Sequence, residues 1–167
     1  MVTFLPATKD DFDFFYNLKC EDENIHWSGF KGKPEVKKLK EIFDKWVDEM
    51  DEPDKRQVYF IYYSNNKAGY LVYSFPVDSD EAELLVVAVS SIYSGKGIGS
   101  RAYAEAIRAA GVEGKRAIFG YVREDHSKSI HIFKKNGFHE DKDGSIYRAA
   151  ESNQEEVKML KFTYELI

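Results

Sequence analysis

The stretch from Glu81 to Val122 decides most of what this chain can become. It runs from the apolar segment "AELLVVAVSS" through the glycine-spaced "YSGKGIGS" and a helix-forming run to "RAIFGYV". Residues Ala82 to Val89 are apolar almost throughout, as in a strand buried on both faces. The pattern after it predicts a helix from Gly97 to Ala110, stopped at Gly111, and then a second strand. Strand, helix and strand in this order make a parallel pair, which needs a crossover helix to form at all. Any fold for this sequence has to be built around that unit.

The flanking segments predict antiparallel pairing. Residues Val2 to Leu5 read as a short strand ended by Pro6. "ATKDDFDFFYNLKC" reads as a helix capped by Thr8, with Phe12, Phe15 and Leu18 on one face. "CEDENIHWSGFKGK" reads as a loop. Pro34 suits a first helical position, and Val36, Leu39, Ile42, Phe43, Trp46 and Val47 carry an amphipathic helix to about Met50. "RQVYFIYYS" and "YLVYSF" form a hairpin, with Asn65 and Asn66 tolerating positive φ in its turn. "HSKSIHIFKKNGF" is a short helix stopped at Gly137, with Ile130 and Phe133 inward and His131 outward. "SIYRAA" and "EVKMLKFTYELI" close the sheet. The expected class is α+β: one domain over residues 1–167, with a central, mixed, mostly antiparallel sheet, one parallel strand pair and about four helices.

Composition narrows the function. The 167 residues are 43% hydrophobic and 32% charged, with a net charge of −5, so the chain has a core to bury and no general basic surface for nucleic acid. The single cysteine, Cys20, has no internal disulfide partner, which points to a reducing compartment. "MVTFLPATKDDF" has no signal-peptide pattern and no run approaches a membrane span, so the expectation is a cytoplasmic protein without membrane contact. Four histidines without H-x-x-x-H or C-x-x-C spacing predict no metal site.

Gly95, Gly97 and Gly99 deliver a strand to a helix start, where unpaired amides and the helix dipole together attract anions. Glycine lets the backbone take positive φ and lets a phosphate approach closely. Lys96 and Arg101 add charge nearby. The string is not a Walker loop, and Ser100 stands where a dinucleotide fingerprint needs its third glycine.

Two blocks resemble the GNAT superfamily of N-acetyltransferases. "SGKGIG", Ser94 to Gly99, is similar to its acetyl-coenzyme A signature [QR]-x-x-G-x-[GA], with Ser94 replacing the usual Gln or Arg. "HSKSIHIFKKNGF" is similar to N-x-x-[SA]-x-x-[LI]-Y-x-x-x-G-F. Ser129, Ile132, Gly137 and Phe138 are in place, while His126 replaces Asn and Phe133 replaces Tyr. The resemblance implies that the parallel strands splay and that the pantetheine arm of acetyl-coenzyme A lies between them, meeting main-chain groups at Val87 and Val89. It assigns the diphosphate to Ser94, Gly95, Lys96, Gly97, Ile98, Gly99 and Ser100, and further donor contacts to His126, Ser129 and Phe133.

The implied activity is acetyl transfer to a small-molecule or protein amine by direct attack in a ternary complex, by a monomer or homodimer. A lysine-like amine, with pKa near 10.4, is neutral in only about one molecule in 10³ at pH 7, so a base is needed. The resemblance places that base at Glu83; a solvated or lysine-paired carboxylate is the alternative. A hydroxyl in place of the one absent at Phe133 is sought at Tyr121 or Tyr93. The acceptor is expected beside "CEDENIHWSGF", with Glu21, Asp22 and Glu23 attracting a cation and Trp27 and Phe30 stacking on it. A non-catalytic acyl-coenzyme A binding module is the competing reading, and a nucleotide-binding protein a third.

Overall fold

The structure is a computed structural model that describes residues 1–28, 32–149 and 156–167. In chain order its elements are β1 (Val2–Pro6), α1 (Phe12–Lys19), α2 (Asp22–Ser28), α3 (Val36–Glu49), β2 (Gln57–Tyr63), β3 (Asn66–Ser74), β4 (Glu81–Val89), α4 (Ile98–Val112), β5 (Ala117–Arg123), α5 (Ser127–Lys135), β6 (His139–Ala149) and β7 (Glu156–Glu165), with 3₁₀ turns at Lys9–Asp11 and Ser91–Tyr93. The strands form one sheet in the order β1-β2-β3-β4-β5-β7-β6. Every neighbouring pair is antiparallel except β4 and β5. This is the expected mixed α+β sheet, with five helices around it.

Each face of the sheet carries its own core. On one face, Ala102, Tyr103, Ala106, Ala109 and Ala110 of α4 and Phe133 of α5 pack over Leu84, Ile118, Val122 and Phe162. Small alanines let α4 lie close to the strands. On the other face, Phe12, Phe15 and Leu18 of α1 and Leu39 and Phe43 of α3 cover Val58, Phe60, Tyr70 and Val72. Phe15 and Phe43 meet with ring centroids 4.7 Å apart. The start of the first helical segment is fixed by a capping box between Thr8 and Asp11. Asp11 is buried and also pairs with Lys67 of β3, tying that end to the sheet.

Several local readings differ from the structure. The expected loop after Cys20 contains α2, whose seven residues have too little apolar periodicity to announce a helix. The hairpin turn is Ser64 and Asn65, with φ of 47° and 70°, and Asn66 already belongs to β3. Pro34 lies two places before the first residue of α3, outside the helix. Helix α4 continues through Gly111 to Val112, and the chain leaves it at Gly114 with φ 83°. Strand β6 begins at His139, ahead of the expected "SIYRAA". Ala150 lies outside the described residues, as does the segment 151–155. Among the described residues, no helix is long and apolar enough to cross a membrane.

Candidate active site

The site is set by how little β4 and β5 pair. Only Glu81, Ala82 and Glu83 face partners, at Ala117, Ile118 and Phe119. Beyond that rung β4 stays with β3 and β5 with β7, so the two strands part. Two features mark the place where they part. At Gly120 an added Cβ would lie 2.9 Å from the Phe133 ring and 3.1 Å from the Leu84 carbonyl oxygen, so the aromatic ring occupies the space a side chain would need. And β4 carries a bulge: Val86 faces Val72 and Leu84 faces Tyr73, leaving Leu85 unopposed. Leu85 and Val86 therefore turn to the same face, toward the α1 and α3 core, while Leu84, Val87 and Val89 turn to the α4 core.

The bulge and the strand end also decide which amides are free. Ser90 donates its N–H to the Ala68 carbonyl, across toward β3. Two-residue alternation then directs the main-chain groups of Val87 and Val89 to the opposite edge, where the strands have parted. A cleft of about 550 Å³ opens there. It is lined from both layers, by Gly99 and Tyr103 of α4 and by Lys19, Asn24 and Trp27 from the α1 and α2 side. The strand expected to be buried on both faces is thus half-exposed along Leu85, Val86 and Val87.

At the upper end of the cleft lies the glycine turn. Gly95 and Gly97 take φ of 77° and 75°, in the left-handed region where glycine is favoured. Gly97 caps α4, and the first amide to find an acceptor is Arg101, bonded to the Gly97 carbonyl. Among the described residues, the N–H groups of Gly95, Lys96, Gly97, Ile98, Gly99 and Ser100 donate to nothing in the chain. Gly99 needs no positive φ, and a Cβ built there meets no protein atom; its missing side chain leaves open space facing the cleft. Ser94, by contrast, spends its N–H on the Ser91 carbonyl. Ile98 is buried, so it offers only its amide, and the Ser100 hydroxyl faces the Asn136 amide at 3.5 Å.

At the start of α5, His126 accepts the Ser129 N–H and lies 3.1 Å from the Ser129 hydroxyl. The ring does the capping work of an asparagine, which explains how histidine fits that position. Burial pushes its pKa below the usual value. Trp27 stacks on it at 3.7 Å, and the Arg123 guanidinium covers Trp27 at 5.4 Å. Trp27 is therefore already stacked within the chain; Phe30 lies outside the described residues. Two carboxylates expected to attract a cation are engaged as well. Glu21 accepts from the Ser90 hydroxyl and the Ser91 amide, and Glu23 pairs with Lys128 at 3.3 Å.

Phe133 is buried, stacked on Phe162 at 5.4 Å and met edge-on by Tyr103 at 5.2 Å. Tyr103 went unnoticed in the sequence because "RAYAEAI" makes it look like an ordinary core aromatic. It is 6% exposed and its hydroxyl has no hydrogen-bond partner among the described residues, yet no described side-chain oxygen or nitrogen is both sealed and unpartnered. The Tyr103 hydroxyl is therefore not sealed from its surroundings, and the side chain lines the cleft. Burial pushes this phenol well above the usual range, keeping it protonated. Tyr121 lines the cleft from the other face, with the Arg148 guanidinium 5.6 Å above its ring. Glu83 sits on the last paired rung, just below the cleft lining. Burial raises its pKa, against the opposing pull of Arg148, Arg56 and Lys161. The structure brings Val87, Val89, Gly99, Tyr121, His126, Ser129 and Phe133 together in one lining, with Glu83 at its foot. Tyr93 packs instead against Tyr63.

Comparison with known families decides what this arrangement belongs to. The model of the Acetyltransferase (GNAT) family matches residues 13–138. The chain belongs to the GNAT acetyltransferase family. It is an acyltransferase, and the GNAT fold recurs in solved structures that share little sequence with it. An acetyltransferase from Salmonella typhimurium, described as modifying the N-terminal serine of ribosomal protein L7/L12, superposes with a TM-score of 0.82 at 14% identity, covering 99% of this chain and 95% of that one. The spermidine N-acetyltransferase of Vibrio cholerae, solved with CoA and spermine, gives 0.79 at 15% identity over 98% and 95%. The ribosomal-protein-alanine N-acetyltransferase of Brucella melitensis gives 0.74 at 18% identity over 98% and 99%. A sequence search of curated proteins found no match.

Proposed function

We propose that this GNAT protein transfers the acetyl group of acetyl-coenzyme A directly to an acceptor amine, both bound at once in the cleft between β4 and β5. The observation that carries the reading is the run of unpartnered amides from Gly95 to Ser100 at the start of α4, beside a strand edge left open by the splay. Those amides suit a diphosphate, and the open edge at Val87 and Val89 suits the amide-bearing arm behind it. Bound there, the coenzyme supplies an activated thioester. The chain supplies binding, orientation and proton movement.

Glu83, reached through water, takes the proton of the attacking amine. Its raised pKa makes it a better base than an exposed carboxylate. Tyr103 keeps its proton beside Phe133 and is the hydroxyl assigned to the departing sulfur, with Tyr121 the alternative donor from the opposite face. A thiol of pKa near 8.5 leaves without full protonation, so this donor is less critical than the base. His126 and Ser129 hold the α5 end of the donor site. Phe133 furnishes a wall without a hydroxyl, which, with Ser94 in place of the family's Gln or Arg, favours a non-catalytic coenzyme-binding role. Two measurements separate the readings. Calorimetry is expected to show binding of acetyl-coenzyme A and coenzyme A but not ATP. Thiol release across an amine panel is expected with at least one acceptor; binding without release would leave the binding module standing.

A further inference from the structure

The cleft of this acidic protein is lined by cations. Among the described residues Lys19, Arg123, Lys128 and Arg148 line it, against the single carboxylate of Glu23. Two of the four are neutralised: Lys128 by Glu23, and Arg123 by Asp125 at 3.0 Å through two parallel bonds. Lys19 and Arg148 are not. Among the described residues neither has a carboxylate within ion-pair distance: Lys19 lies over Phe15 and Tyr70 at 5.6 and 5.9 Å, and Arg148 lies over Tyr121 at 5.6 Å and acts on Glu83 only through its longer-range charge. Both stand on the α1 side of the sheet, whereas the unpartnered amides and α4 lie on the other. They are therefore spare for the acceptor rather than for the phosphates of the donor. The charges acting on Glu83 are also all cationic, from Arg148, Arg56 and Lys161.

Resting on the acetyl-transfer reading above, we infer that the acceptor is an amine that also carries a carboxylate, held by Arg148 and Lys19 while its amine faces the β4 and β5 split. A polyamine would meet like charges there, whereas a carboxylate would complete two cations that have no ion-pair partner among the described residues. Planar guanidinium can grip a carboxylate through two donors, so Arg148 is the more selective of the two. The chemistry fits a free acidic amino acid and the N-terminus of an acidic peptide alike.

Thiol release with acetyl-coenzyme A tests this on matched acceptors: glutamate against its diamide, which keeps the α-amine and has no carboxylate, the peptide Ser-Glu-Glu-Ala amide against Ser-Gln-Gln-Ala amide, and spermidine. The acidic member of one pair is expected to show at least a tenfold higher kcat/KM than its carboxamide twin, and which pair responds identifies the source. Arg148→Gln is expected to bring that ratio close to one through KM, with coenzyme A affinity and thermal midpoint unchanged at this exposed position; the loss of its charge near Glu83 moves the pH profile equally for both members of a pair and so leaves the ratio as the readout. Equal turnover of acidic and amide acceptors, or preference for spermidine, overturns the inference. If no acceptor releases thiol, calorimetry of glutamate and the acidic peptide on the coenzyme A complex still decides. Binding lost in Arg148→Gln keeps the carboxylate site while the transfer reading falls; no binding removes the site.

Discussion

Glu83 carries its proton to higher pH in the folded chain than in the unfolded one, because burial disfavours its charge more than the surrounding cations favour it. The stabilisation linked to that proton is complete below the unfolded pKa and lost as pH rises through the folded one. Above that value the carboxylate slightly weakens the fold. Glu83→Gln is therefore expected to keep or raise the thermal midpoint near neutral pH while kcat/KM falls by about 10²-fold and its pH profile moves upward, as removal of a general base requires. A loss of activity accompanied by a loss of stability would count against the role. Paired Tyr→Phe variants rank the two phenols, with Tyr103→Phe expected to lower kcat more than Tyr121→Phe in steady-state assays. Glu83 was proposed from the sequence only through the resemblance of "AELLVVAVSS" to the family's strand, which carries a glutamate at that place. Tyr103 was not, since nothing in its neighbours distinguishes a phenol that reaches a cleft from one that fills a core.

Helix α4 and its glycine turn separate what the fold needs from what a ligand needs. Gly97 takes a left-handed φ, so a side chain there strains the backbone itself. Gly99 has neither constraint nor protein neighbour. Gly99→Val is expected to shift the thermal midpoint by no more than about 2 °C, as exposed substitutions do, yet to weaken coenzyme A binding at least tenfold by calorimetry. The turn and α4 were legible because glycine spacing and a switch from apolar run to helical period are local signals. The bulge at Leu85 was not, because "ELLVVAV" stays apolar whichever residue is left unopposed; only pairing with β3 reveals it. Helix α2 was hidden for a related reason. Its tethers are distant in sequence: Glu21, just before it, reaches Ser90 and Ser91, while Glu23 and Trp27 reach Lys128 and His126. At Gly120 a methyl group would press on Phe133 and the Leu84 carbonyl. Gly120→Ala is expected to cost about 1–3 kcal/mol in urea unfolding, the usual range for overpacking.

Across the whole molecule, two cores share one sheet, so neither can be lost without exposing the strands that cover the other. Coenzyme A at about one hundred times its Kd adds roughly 2.7 kcal/mol to the folded state, which for a domain of this size raises the thermal midpoint by about 5–10 °C in a scanning experiment. The three rungs joining β4 to β5 are the narrow seam between the two halves of the sheet. Because residues of both layers line the gap above that seam, we propose that donor and acceptor approach it from opposite sides of the sheet. On the proposed ternary mechanism, neither has to depart before the other enters. A chain shaped in this way has no need to carry the acyl group on a side chain of its own between one visitor and the next.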